Sequence, residues 1–409
     1  MILFTRALCG LEREKYPLET WIDAGEREAA LDPDFPIVDA HHHMWDARTQ
    51  DKGWPVSKFM IRVLYALNPG IMQKIFVKKQ DPRMVEVFSE KLPFAVPYMA
   101  NNMLRDIENI EQGPRPLPSR IPMKESFPGH NVVATVYIES GWADPKARSE
   151  AIKAVPEIGM AQAVASSSNN RLCTGIVGHV PLLEGAEEVR PALATMVEQF
   201  PNMRGIRDSL AFREGYLPIN ADKDMAYDAK FRSAFSLLSE FNLTYETWLY
   251  HDNIPALRDL ALAFPETTII CDHMGSPSSI GLIPPSDTKT IFQDWASSIK
   301  ELADRCPNVV VKLSGLGMPI YGFGFDRRPA PPSSAELAKA WRPYVLHCIE
   351  CFGVDRCMFA SNFPVDKVSC SYTALFNSFK IIVKDFSIED KKKLFHDNAV
   401  RVYRLQIKK

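Results

Sequence analysis

Short apolar runs recur along the chain, each closed by polar or glycine positions and most followed by a longer stretch with helical spacing. Strands are expected over 36–40, 131–138, 175–179, 203–207, 243–248, 267–271, 308–313 and 356–360. Runs such as Val132-Val133-Ala134-Thr135-Val136-Tyr137-Ile138 are apolar at both parities, so both faces of the strand must be covered. Such strands, alternating with amphipathic helices, imply a parallel sheet. Helices are expected from 145 and over 187–200, 230–240, 254–264, 289–304, 334–351, 371–384 and 388–403. Eight strand–helix units point to an α/β fold, a (β/α)8 barrel rather than an open sheet.

The rhythm is interrupted once. The interval 47–129 holds no convincing strand; it has helical patches at 57–67, 84–91 and 99–111 and a break at Gly113-Pro114-Arg115-Pro116-Leu117-Pro118. So long an excursion within a barrel is usually functional, and it is expected to be a lid or cap inserted after the first strand. Residues 1–34 are charged and irregular, an extension on the outside of a main domain over 35–405.

Composition narrows the picture. Of 409 residues 46% are hydrophobic and 24% charged, which is ordinary for a globular chain with a large core. A net charge of −2 without a basic block argues against a nucleic-acid partner. No apolar run approaches the roughly 20 residues of a membrane span, and the first ten residues lack the basic and cleavage regions of a signal peptide. The eight cysteines are scattered in apolar contexts, the pattern of reduced core thiols in a cytoplasmic protein.

The candidate chemistry begins at Asp39-Ala40-His41-His42-His43-Met44-Trp45-Asp46. Alternate side chains of a strand share a face, so His41 and His43 should point one way, with Asp39 in phase, and His42 the other. Two imidazoles at a strand end are half of a metal site. Six of the nine histidines, His41, His42, His43, His179, His251 and His273, fall at or just beyond strand ends, where a barrel carries its site. Glu139, Arg207, Lys312 and Asn362 fall there too. Glu139 is a ligand, a base or the partner of Arg207; Arg207 suits a carboxylate or a polarised carbonyl; Lys312 lines the barrel as a charge partner.

Together, Asp39-Ala40-His41-His42-His43-Met44-Trp45, Tyr137-Ile138-Glu139-Ser140, Trp248-Leu249-Tyr250-His251, Asp272-His273-Met274-Gly275, Lys312-Leu313-Ser314-Gly315 and Ser361-Asn362-Phe363-Pro364-Val365-Asp366 resemble the amidohydrolase-related family. Its members include lactonases of sugar acids and of 2-pyrone-4,6-dicarboxylate. The resemblance implies a distorted TIM barrel. It implies a divalent ion, zinc, held by His41, His43 and His251, with His273 orienting or protonating the substrate. The family closes its signature with an aspartate that takes the proton of the attacking water. Asn362 stands at that position and cannot serve as a base, which leaves Asp366, Glu139 or His273 for the role. Hydrolysis of a cyclic ester or related carbonyl compound is the expected reaction, on a small anionic substrate held by Arg207. A non-oxidative decarboxylase of an aromatic or dienoic acid, and a non-catalytic ligand-binding barrel, are the alternatives. Oligomeric state is left open, with a homodimer the common case.

Overall fold

The eight expected strands form one parallel sheet in sequence order: β1 (Ile37–His42), β2 (Val132–Ile138), β3 (Gly175–Gly178), β4 (Met203–Arg207), β5 (Thr244–Thr247), β6 (Ile269–Cys271), β7 (Val309–Leu313) and β8 (Cys357–Phe359). The computed structural model describes residues 17–50, 56–67, 69–79, 81–110, 127–217, 222–278 and 288–407. The ring shuts just past β8. There the Asn362 amide donates to the His41 carbonyl and the His43 amide to the Phe363 carbonyl, both at 2.8 Å. The result is a (β/α)8 barrel.

The doubly apolar strands divide their side chains between two cores. Ile37, Tyr137, Ile176, Ile206, Tyr245, Ile269, Val311 and Phe359 face outward and pack with Leu193, Leu257, Trp295 and Trp341 of the surrounding helices. Val38, Val136, Ile138, Val177, Ile270, Val310 and Met358 form a separate cluster. These residues come from six strands and can meet only across the interior of a ring. The C-terminal segment stoppers that interior with Val402, Tyr403 and Leu405. Burying each such side chain stabilises the fold by about 1.5–3 kcal/mol. Leu405 sits against Gly175 at the start of β3, so that a Cβ there would lie 2.9 Å from Leu405 Cδ2. The N-terminal end of the barrel is therefore plugged, and a ligand can enter only at the C-terminal ends of the strands.

The helix expected over 388–403 is interrupted. It runs as Ile388–Lys392, a π turn over Lys393–Asp397, and Asn398–Tyr403. Leu394 and Phe395 join the outer core, whereas Ala399, Val402 and Tyr403 join the barrel plug. The wider turn changes the helical phase between the two faces. The helix expected from 145 starts only at Val155 and runs to Ser167. Two helices were not expected, Pro17–Asp23 and Pro69–Lys79.

Within the 47–129 interval, helices Lys58–Leu67, Pro69–Lys79, Pro82–Phe88 and Ala100–Ile107 pack above the barrel. Two devices fasten the interval. Trp45 and Tyr98 exchange backbone hydrogen bonds at 2.8 Å. Lys367, just past β8, donates to both Asp106 carboxylate oxygens at 2.9 Å, and the Tyr98 hydroxyl donates to Asp106 at 2.7 Å. Residues 17–34 pack outside the barrel: the Trp21 indole donates to the Arg328 carbonyl at 2.7 Å, and the Ser334 amide to Glu28 at 2.7 Å. Among the described residues no helix is long and apolar enough to cross a membrane.

Candidate active site

β1 ends irregularly. Its pairing with β2 shifts register between Asp39 and His42, and the extra residue re-aims the side chains. Val38 and Ala40 are in the inner core. Asp39 departs from the phase expected of it: its carboxylate accepts from Ser361 N at 2.8 Å, Ser361 Oγ at 2.6 Å and the Tyr372 hydroxyl at 3.0 Å. It pins the barrel seam. Past the shift, His41 and His43 come together inside, their Nε2 atoms 3.0 Å apart. His42 points away, meets Thr135 Oγ1 at 2.8 Å and packs edge-on against Tyr137.

The hydrogen bonds around these rings fix their chemistry. His43 Nδ1 lies 3.0 Å from the carbonyls of Ile138 and Glu139. A carbonyl can only accept, so Nδ1 carries a proton, and Nε2 faces His41. His41 Nδ1 faces Lys312 Nζ at 3.1 Å and Asp272 Oδ1 at 3.5 Å. Burial first, then Lys312, holds the His41 imidazolium well below the ordinary histidine value, so the ring is neutral.

Below the pair lies a fully buried set of charges. Lys312 bonds Glu246 at 2.6 Å and approaches Asp272 at 3.4 Å, and the Tyr403 hydroxyl donates to Glu246. Burial would raise the Asp272 carboxyl, but Lys312 and His41 beside it keep it well below the usual carboxylate range. Among the described residues, the nearest partners of Asp272 are Lys312 Nζ at 3.4 Å and His41 Nδ1 at 3.5 Å. Glu246 is pushed up to about 7 by burial, against Lys312.

Asp272 and His273 follow β6 directly. His273 and Met274 both adopt left-handed backbone, with φ of 52° and 54°. This turns the His273 ring toward His41, at 4.6 Å between centroids, and its Nδ1 to Ser314 Oγ at 2.8 Å. Gly315 is required here. It has φ of 73°, and a Cβ on it would lie 2.5 Å from His273 Cγ. Burial depresses His273 to about 3. His41, Asp272 and His273 place donor atoms within 4.8 Å of one another, a candidate metal site.

His251, expected as a ligand, is not in that group. Its Nε2 lies 2.9 Å from Asp252, and its Nδ1 accepts from Ser278 N at 3.2 Å. β5 ends at Thr247, so strand parity no longer aims a side chain four residues later. Glu139 and Arg207 resolve as partners: Arg207 Nε donates to Glu139 Oε1 at 2.7 Å, and Gly141 N donates to Oε2 at 2.8 Å. Arg207 Nη1 is also 3.5 Å from His41 Nε2. His179 lies behind Arg207, its Nδ1 2.9 Å from the Arg207 carbonyl.

At the end of β8, Asn362 has φ of 54°, a conformation asparagine tolerates. Its amide donates to Asp366 at 2.7 Å, and Gly317 N donates to the other Asp366 oxygen at 2.9 Å. Asp366 is buried, which lifts it to about 7. A cavity of about 300 Å³ opens over this floor, lined by His43, Glu139, Arg207, His273 and Asn362 and walled by aromatic rings. Asp366 stands behind Asn362 rather than at the cavity wall.

The Amidohydro_2 family model, described as amidohydrolase, matches residues 175–405, more than half of the chain. The chain belongs to this amidohydrolase family. The match spans β3 to β8; His41 and His43 lie before it. The uncharacterized protein y4mH of Sinorhizobium fredii is 29% identical over 378 residues, covering 91% of this chain and 99% of that protein. The L-fucono-1,5-lactonase of Burkholderia ambifaria is 26% identical over 203 residues, which are 50% of this chain and 59% of the lactonase. The crystal structure of an amidohydrolase from Burkholderia multivorans with bound zinc shares the fold, with a TM-score of 0.60 and 18% identity over 90% of this chain and 99% of that one. The family and its lactonase relatives support the hydrolase expectation.

Two parts of this amidohydrolase site were not assigned from sequence. Asp272 was visible beside His273 in the Asp272-His273-Met274-Gly275 motif, yet only the histidine drew attention. The ring wall comes from Trp45, Phe88, Phe94 and Trp248. Two of these lie in the 47–129 interval, where no local pattern says which aromatic residue will turn toward the barrel.

Proposed function

We propose that this cavity hydrolyses a cyclic ester, a lactone, at the C-terminal mouth of the barrel. The observation that carries the reading is the convergence of the His41 and His43 Nε2 atoms to 3.0 Å beside Asp272, a fully buried carboxylate. These donors fit a divalent cation, which we take to be zinc, as in the Burkholderia multivorans structure. His41, Asp272 and His273 would hold it, with His43 alongside. When bound, such an ion polarises an ester carbonyl and lowers the pKa of a water toward neutrality.

The protein's own groups supply the rest. Arg207, braced by Glu139 and by its backbone bond to His179, aims Nη1 at the same point as His41 Nε2. A guanidinium there stabilises the oxyanion that forms as the carbonyl is attacked. Of the candidate bases, Glu139 is the carboxylate at the cavity wall, and it takes the proton of the attacking water. Asn362 gives its amide hydrogen to Asp366, which orients the amide oxygen as an acceptor for that water. Asp366 acts through Asn362 and is a positioning residue. The described part of the 47–129 interval serves as the cap: its Phe88 and Phe94 cover the floor and exclude bulk water.

The experiment is acid release from a panel of five- and six-membered lactones, with the metal content of the same sample measured. Lactone turnover that Glu139→Gln lowers by about 10²–10⁴ is expected. Turnover that Glu139→Gln leaves unchanged contradicts the assignment of the base; no turnover of any lactone contradicts the reaction.

A further inference from the structure

Resting on the lactonase reading, we infer that the substrate is a lactone carrying a flat aromatic ring, in preference to a polyhydroxylated sugar lactone. Trp45 packs on Phe94 with centroids 4.8 Å apart, Phe94 on Phe88 at 4.8 Å, and Phe88 on Trp248 at 6.3 Å. The four rings form a continuous collar above the polar floor.

The polar handles of this collar are turned into the protein. The Trp45 indole N–H donates to the Val96 carbonyl at 2.9 Å, and the Trp248 indole N–H to Ser276 Oγ at 2.8 Å. The one hydroxyl of the lining, Ser140, is held by the Met44 carbonyl at 2.9 Å and Glu157 at 2.7 Å. Met318 and Val365 complete the wall. Among the described residues, the collar therefore shows a ligand ring carbon, while the polar side chains of the lining, His43, Glu139, Arg207, His273 and Asn362, lie at the floor. Sugar hydroxyls set against the collar would be buried unpaired, which weakens binding. Edge-to-face and offset contacts instead favour an aromatic ring in such a collar.

The test compares kcat/KM of the purified protein for dihydrocoumarin and glucono-1,5-lactone. Calorimetric binding of the matching uncleavable lactams is measured alongside. Dihydrocoumarin is expected to lead by at least about 10-fold, and the benzo-fused lactam to bind more tightly than the sugar lactam by a similar factor. Phe94→Leu should shrink both preferences. A sugar lactone that equals or exceeds dihydrocoumarin overturns the inference while leaving the lactonase reading standing. If no lactone turns over, the lactonase reading fails, and the lactam affinities alone decide the character of the wall.

Discussion

Asn362 donates its side-chain amide to Asp366 at 2.7 Å, and this bond joins the cavity wall to a carboxyl group with no exposure of its own. Burial lifts Asp366 to about 7, opposed by the hydrogen bonds from Gly317 and Asn362. A carboxyl whose folded value is raised favours the fold in its protonated form. Its contribution is full at low pH, below its unfolded value, and fades as pH rises through about 7. Asp366→Asn removes that dependence and sets an NH2 against donors, at a cost of about 1–3 kcal/mol. Urea unfolding at pH 5 and pH 8 should show the gap between wild type and variant narrowing at the higher pH. A gap that does not change with pH would contradict the assigned titration.

The Lys312–Glu246 pair carries a second prediction. Both side chains are fully buried, 2.6 Å apart, and Lys312 also faces Asp272 and His41. Lys312→Met leaves two carboxyl groups without their cation and should cost about 3–5 kcal/mol. Adding Glu246→Gln removes one of the stranded groups and should recover part of the loss, as denaturant midpoints of the single and double variants would show. Additive losses would mean the two residues act independently.

Gly315 is the narrowest steric point beneath the site. A methyl group there would meet the His273 ring at 2.5 Å, on a backbone with φ of 73°. Gly315→Ala should fold with a loss of about 1 kcal/mol or more and displace His273. Misplacement of a reacting group by about 1 Å costs on the order of 10²-fold in rate. Steady-state kinetics beside a thermal melt would separate the two effects; unchanged kcat/KM would remove His273 from the mechanism.

Lys367 and Asp106 make the same kind of comparison for the cap. Lys367 is nearly buried where it bonds Asp106. Lys367→Met strands that carboxylate with the Tyr98 hydroxyl and should cost about 3 kcal/mol, with faster amide exchange across Ala100–Ile107. Lys300→Met breaks a shorter pair, 2.7 Å, on an open helix face and should cost about 0–1 kcal/mol.

The barrel was legible because most of its strands, β1, β2, β3, β6 and β7 above all, are largely apolar at both parities and end near polar or glycine residues, a local signal that needs no tertiary knowledge. His41, His43, Glu139, Arg207, His273 and Asn362 all sit within three residues of a strand end, so strand position alone brought them near one mouth. Where the chain leaves the strand, that logic stops. His251 lies four residues beyond β5 and turned to Asp252, and Asp39 was re-aimed by a register shift that composition does not encode. Phe88 and Phe94 reach the cavity through folding of the cap, at a sequence distance where pattern carries no direction.

The central claim is that His41 and His43 anchor a lactone-hydrolysing centre at the barrel mouth. It is tested most directly by the rate of acid release from dihydrocoumarin with wild-type protein and with His41→Ala/His43→Ala, each loaded with zinc and checked for native circular dichroism. The structure predicts turnover in the wild type and a fall of at least about 10²-fold in the folded double variant. Equal rates in the two proteins would contradict it.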